Sequence, residues 1–203
     1  SRKIMHLPST TFVINYHRAK YVCPNCEPAS EEEKSCSIAS MPKQVLQDTM
    51  ATPELLARIA IGKFADALPL YRQREILARE GVTLPSSTLS YWMVRLGKET
   101  EPLINYLLKK LRAGPIINMD ETPVQVMRED GRANTSKSYM WVGCGGEENA
   151  KIRLFRYYPT RSSSAAEDML ADFHGFLQTD GYVAYKAFGT RDGITHVGCL
   201  VHV

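Results

Sequence analysis

The hydrophobic period of this chain changes at Gly114-Pro115, and that change restricts the fold more than any other feature. Upstream, apolar residues recur at helical spacing. Downstream they fall into short strand-like runs separated by polar turns. Helices first and a strand-rich half afterwards give an α+β chain. At 203 residues and 44% hydrophobic it can bury a real core, with room for one domain plus appendages.

Bulk properties exclude some classes. Every apolar run falls short of the roughly 18–20 residues that span a bilayer. Ser1-Arg2-Lys3 is not followed by the apolar segment of a signal peptide, so a cytoplasmic protein without a membrane partner is expected. Five cysteines at irregular spacing do not make a disulfide framework. A net charge of +3 permits nucleic-acid binding without arguing for it.

Three segments follow. Residues 1–43 begin basic and strand-like, with Thr11–Tyr16 and His17–Tyr21, and reach Cys23-Pro24-Asn25-Cys26. This C-x-x-C is one knuckle of a zinc ribbon, and a tetrahedral Zn²⁺ site needs a second ligand pair. Three accounts stay open: a site closed by His6, His17 or Cys36, half of a site whose other pair precedes Ser1, or a turn with two free thiols. Glu27–Lys34 and Ser40-Met41-Pro42 have linker composition.

Residues 44–114 read as helices. Thr52 caps and Pro53 opens the first. A second runs from Asp66 to Glu80, with Gly81 as its stop. After a short turn a third starts in Ser/Thr residues and holds Thr88–Leu96, and a fourth covers about Glu101–Leu111. The middle pair has the outline of a helix-turn-helix, in which Ser86, Ser87, Thr88 and Arg95 would meet DNA phosphates or base edges. An ordinary helical hairpin with a Ser/Thr cap has the same outline. Trp92, like Trp141 further on, reads as core.

Residues 115–203 read as three hairpin-joined strands (Ile116–Val126, Ser138–Gly146, Ala150–Tyr158), a helix from Ser162 to about Phe173, a strand Phe176–Tyr182, a short helix near Tyr185–Phe188 and a last strand Ile194–Val203. In the first strand, alternation puts Asp120 with Asn118 and sends Glu121 to the other face. An acid in such a run pays for desolvation unless it is paired, hydrogen-bonded or metal-bound. Asp180 stands at the end of the fourth strand. This order, with its two acids, resembles the ribonuclease H-like arrangement, where the first and fourth strands are neighbours, so Asp120 and Asp180 are expected side by side. Two close carboxylates suit Mg²⁺ or Mn²⁺. Two such ions about 3.5–4 Å apart serve phosphodiester cleavage. Arg153, Arg156 and Arg161 could line a DNA path or be solvated charges.

Longer motifs carry a more specific resemblance. Asp120–Val126, Tyr139–Val142, Gln178–Tyr185 and Gly198-Cys199-Leu200-Val201-His202 resemble transposases of the insertion-sequence-sixty-six family. So do Leu68–Gln73, Gly81-Val82, Ser87–Ser90 and Arg18–Cys26, the last resembling the second half of that family's zinc-finger region. The resemblance implies a DDE-type enzyme in which Asp120 and Asp180 take the two aspartate positions. Its glutamate lies downstream of the Gly-Cys-x-x-His motif, and the finger's first cysteine pair would precede Ser1. A chain truncated at both ends is therefore expected: a partial finger, a helical DNA-binding segment and an incomplete catalytic core. The implied partner is double-stranded DNA, at element terminal repeats and at the target, with room for a homo-oligomer. Cutting and joining of DNA is one expected activity, and binding without cutting is the other.

Overall fold

A computed structural model describes residues 4–5, 10–22 and 36–202, with backbone only at Cys36, Ala184 and His202. Cys23, Cys26 and His6 lie outside the described residues. Two compact units divide between Glu99 and Thr100.

The first unit holds a short antiparallel pair, β1 (Lys20–Val22) with β2 (Cys36–Ile38), and three helices: α1 (Pro53–Phe64), α2 (Leu70–Arg79) and α3 (Ser86–Glu99). Thr52 caps α1 by accepting from the Leu55 amide at 3.4 Å. The α2 helix starts later than expected, because Leu68 precedes Pro69, and a pre-proline residue disfavours helical backbone. Its end is a Schellman turn: Gly81 takes φ +88°, and the amides of Val82 and Gly81 reach the carbonyls of Leu77 (2.9 Å) and Ala78 (3.1 Å). Leu46, Leu56, Ile59, Leu77, Leu89 and Trp92 form the core. Gln73 is buried among them and donates to the carbonyls of Ile59 (3.2 Å) and Leu68 (3.0 Å). Gly62 makes room for it, since a Cβ there would stand 2.9 Å from the Gln73 amide oxygen.

The second unit opens with α4 (Glu101–Arg112), followed by β3 (Ile116–Gln125), β4 (Lys137–Glu147), β5 (Ala150–Tyr158), α5 (Ser163–Leu170), β6 (Gly175–Thr179), a 3₁₀ segment (Val183–Thr190), β7 (Ile194–Gly198) and a 3₁₀ turn (Leu200–His202). The sheet order is β5-β4-β3-β6-β7. β3, β4 and β5 are antiparallel, whereas β6 runs parallel to both β3 and β7. The first and fourth strands of this unit are thus neighbours. The last strand is shorter than expected. Its final pair is Thr179 with Gly198, and where β6 stops there is nothing left to pair, so Leu200 and Val201 turn out into solvent.

One face of the sheet is covered. Leu108 and Leu111 of α4 and Ala165, Ala166, Met169 and Leu170 of α5 pack on Ile117, Met119, Trp141, Leu154 and Leu177. Trp141 sits edge-on to Tyr158 and Tyr185, with centroids 6.4 and 5.9 Å away. Both helices come close because β4 carries glycines beneath them. A Cβ on Gly143 would meet Met169 at 3.0 Å and Leu111 at 3.1 Å. Tyr158 donates to Asp168, which pairs with Arg156 at 3.0 Å and fastens α5 to the edge of the sheet. On the opposite face Ile116, Phe155 and Phe176 are about half exposed or more.

Gly145 is the tightest of these positions, since a Cβ there would lie 2.5 Å from the Ile116 carbonyl oxygen. Gly145→Ala is expected to destabilise the second unit by about 1–3 kcal/mol through forced overpacking. The two tryptophans divide between the units, so Trp141 fluorescence in a Trp92→Phe background reads this unit in a urea titration. An unchanged midpoint would show that the strands part without cost.

Candidate active site

Both acids follow from the strand register. β3 and β6 pair Ile116 with Phe176, Ile117 with Leu177 and Asn118 with Gln178, a constant offset (176 − 116 = 60). The same offset places Asp180, one residue past the end of β6, level with Asp120. Asp120 is exposed, and its Oδ1 accepts the Glu121 amide at 2.8 Å. The Asp180 side chain is 24% exposed. Its Oδ1 accepts the Tyr182 amide at 2.9 Å, a local turn that Gly181 leaves open. Thr179 next to it is buried, with its hydroxyl 2.8 Å from His196 Nε2 and donating to the Asp180 carbonyl at 2.8 Å.

The costly acid is Glu121, not Asp120. Alternation along β3 is clean, with Ile117, Met119 and Glu121 on the covered face, and the Glu121 side chain is 0% exposed. Its Oε1 accepts Arg161 Nε at 2.6 Å and also meets Nη2. Its Oε2 accepts the Tyr185 hydroxyl at 2.5 Å. Both oxygens are occupied, as a buried charge requires. Glu121 therefore stands away from Asp120, as alternation demands.

Arg161 joins the two acids. Its Nη2 stands 3.7 Å from Asp180 Oδ2, and its plane lies 3.5 Å over the Tyr182 ring. The Tyr182 hydroxyl donates back to the Arg161 carbonyl at 2.9 Å. Burial pulls the guanidinium pKa down, but the Glu121 hydrogen bond and charge outweigh it and raise the value. Burial raises the Tyr185 phenol far above its ordinary value, and the Glu121 hydrogen bond and charge, with the charges of Asp180 and Asp120, add to the rise. Arg161 and Tyr185 were not legible as partners of Glu121, because no local spacing links them.

Among the described residues no group of three or more His, Cys, Asp or Glu side chains is placed to hold a metal ion. Two accessible carboxylates nonetheless fit the habits of Mg²⁺, which binds through one or two carboxylates and keeps several waters. Glu121 is too fully engaged to serve as a third.

The other expected site residues have quieter surroundings. Ser86 Oγ accepts from Arg74 at 3.4 Å. Ser87 is exposed and Thr88 half-buried. Arg95 lies over the Tyr91 ring at 5.6 Å and donates to the Gln47 carbonyl at 3.0 Å, so it is partly committed within its unit. Arg153 is exposed, whereas Arg156 and Arg161 are drawn into the ion pairs already described.

The family model described as "Transposase IS66 family" matches residues 48–203. The chain belongs to the IS66 transposase family. It is 32% identical over 177 residues to the uncharacterized protein y4qI of Sinorhizobium fredii, covering 81% of this chain and 33% of that one. To y4jD of the same organism it is 33% identical over 196 residues, covering 91% and 37%. The chain thus spans about a third of the length of these relatives. No helix among its described residues is long and apolar enough to cross a membrane.

Tyr185 allows a pH test. Its folded-state pKa lies above the unfolded value, so its contribution is complete below about pH 10 and is lost as pH rises further. Stability should fall above that point, and Tyr185→Phe should remove about 1.4 kcal/mol per pH unit of the slope. At neutral pH the same change should cost about 1–3 kcal/mol, because Glu121 Oε2 loses its donor. Urea midpoints measured from about pH 8 to 11.5 check both, and parallel slopes for the two proteins would contradict the assignment.

Proposed function

We propose that this chain carries the strand-cleaving and strand-joining core of a DNA transposase, on a ribonuclease H-like sheet. The observation that supports it is the β3–β6 register, which pairs Asn118 with Gln178 and, carried two residues on, sets Asp120 level with Asp180, whose Oδ2 lies 3.7 Å from Arg161. In this reading Asp120 and Asp180 hold Mg²⁺ or Mn²⁺. Bound there, the metal would supply charge neutralisation for a reacting phosphodiester and activation of the attacking hydroxyl or water. The protein's own part is to hold two oxygen donors together against their repulsion, with Arg161 as counter-charge. Double-stranded DNA is the substrate. The α2–α3 pair would present Ser86, Ser87, Thr88 and the half-committed Arg95 to phosphates at the element ends, and the strand transfer would be carried out by a homo-oligomer. Cys23 and Cys26 would supply half of a Zn²⁺ site.

A second reading, DNA binding without cutting, is favoured by one observation. Glu121, next to Asp120 in the sequence, spends both its oxygens on Arg161 and Tyr185 and is not free to act as a third metal ligand.

Calorimetric titration with Mn²⁺ separates metal binding from fold. The wild type should bind, and an Asp120→Asn, Asp180→Asn double variant should lose at least tenfold in affinity while keeping its unfolding midpoint. Identical isotherms would sink the metal assignment. DNA binding should weaken steeply with salt, because phosphate contacts release counterions, and should favour terminal-repeat duplex over random sequence. Nicking of that duplex with Mg²⁺ supports the first reading, and salt-dependent preference without nicking supports the second. If random duplex binds equally well, recognition of the element ends by this chain is excluded.

A further inference from the structure

Arg161 is placed between two acids and is shared unequally. Its Nε and Nη2 close on Glu121, whereas Nη2 remains 3.7 Å from Asp180 Oδ2. A full arginine–carboxylate pair closes to about 2.7–2.9 Å, so the guanidinium stops roughly 1 Å short of Asp180. Glu121 is what restrains it. That carboxylate is entirely enclosed, and among the described residues Arg161 is the cation paired with it. Tyr182 keeps the arrangement flat and fixed, with its ring under the guanidinium and its amide on Asp180 Oδ1.

We propose that Glu121 is a positioning residue: by anchoring Arg161 on the covered face, it keeps the guanidinium from closing on Asp180 and so leaves Asp180 available to a divalent cation. This rests on the reading of Asp120 and Asp180 as cation ligands. Three acids and one arginine leave a formal −2 around the site. Without the Glu121 charge the sum is −1, and the freed guanidinium turns to its remaining partner, Asp180. A lysine at 161 acts differently. Its single ammonium lacks the fork that reaches two acids, follows the enclosed Glu121 and gives up Asp180.

The test is Mn²⁺ affinity, read as free Mn²⁺ by electron paramagnetic resonance on the full 203-residue chain, with circular dichroism melts alongside. Glu121→Gln should weaken Mn²⁺ binding about tenfold, because a full positive charge then sits on a ligand. Arg161→Lys should strengthen it severalfold. Glu121→Gln combined with Arg161→Gln restores the −2 and should return affinity to near the wild-type value, whatever it does to the melt. Opposite shifts for the two single variants support the proposal, since a merely structural pair would lower affinity in both or in neither. Wild-type binding that Asp120→Asn abolishes, together with unchanged affinity in Glu121→Gln, overturns the proposal and leaves the active-site reading standing. Wild-type binding indifferent to Asp120→Asn overturns both. If Glu121→Gln does not fold, Arg161→Lys decides alone: a gain in affinity supports the proposal, and a loss or no change overturns it.

Discussion

The enclosed carboxylate of Glu121 is the constraint on which the second unit depends. A charge removed from water costs several kcal/mol unless it is paired and its lone pairs are filled. Here that demand draws three elements together: β3, which carries the acid, the turn after β5, which carries Arg161, and the 3₁₀ segment after β6, which carries Tyr185. Removing Arg161 would strand the charge, at about 3–5 kcal/mol for a broken buried pair. Such a pair is weak evidence for stability as such, since apolar residues of like volume often do as well. Its contribution is specific placement: the turn after β5 and the segment after β6 must close on the same point.

That placement reaches the exposed side of the strand ends. Arg161, held on Glu121, stands 3.7 Å from Asp180, and Tyr182, which stacks on Arg161, supplies the amide that orients Asp180. Core packing and site geometry therefore share atoms. The glycines of β4 belong to the same logic, because Gly143 lets Leu111 and Met169 settle onto the sheet beside Trp141, and Trp141 in turn walls in Tyr185.

Much of this was legible in the sequence, for physical reasons that differ between elements. The cap at Thr52-Pro53, the stop at Gly81 and the change of period at Gly114-Pro115 are local signals, and α1, the end of α2 and β3 follow them. The buried state of Trp92 and Trp141 followed from size and apolarity. Strand alternation placed Glu121 and Asp120 on opposite faces but gave no hint of which acid was the buried one. The partners of Glu121 come from 40 and 64 residues away, and no period or motif spans such distances. The sequence implies a longer β7 than forms, because an apolar run looks like a strand whether or not a neighbour remains to pair with it.

Asp120 and Glu121 are adjacent, of the same chemistry, and set to opposite tasks by a period of two. A slip of one residue in the pairing of β3 would exchange them, sending the exposed acid into the core and Glu121 out of reach of Arg161. The register must therefore be held by something other than the acids. At one end of β3 the lock is steric against one direction of slip: Gly145 passes so close to the Ile116 carbonyl that no side chain fits, and a slip that brought Cys144 there would put a side chain against it. In the middle, Glu121 pairs across the ladder with Trp141, the largest fully buried side chain of the unit, which fits only on the helix-covered face. The chemistry proposed for the carboxyl end of β6 thus rests on packing several residues away, and mutations at Gly145 or Trp141 would act on the acids without touching them.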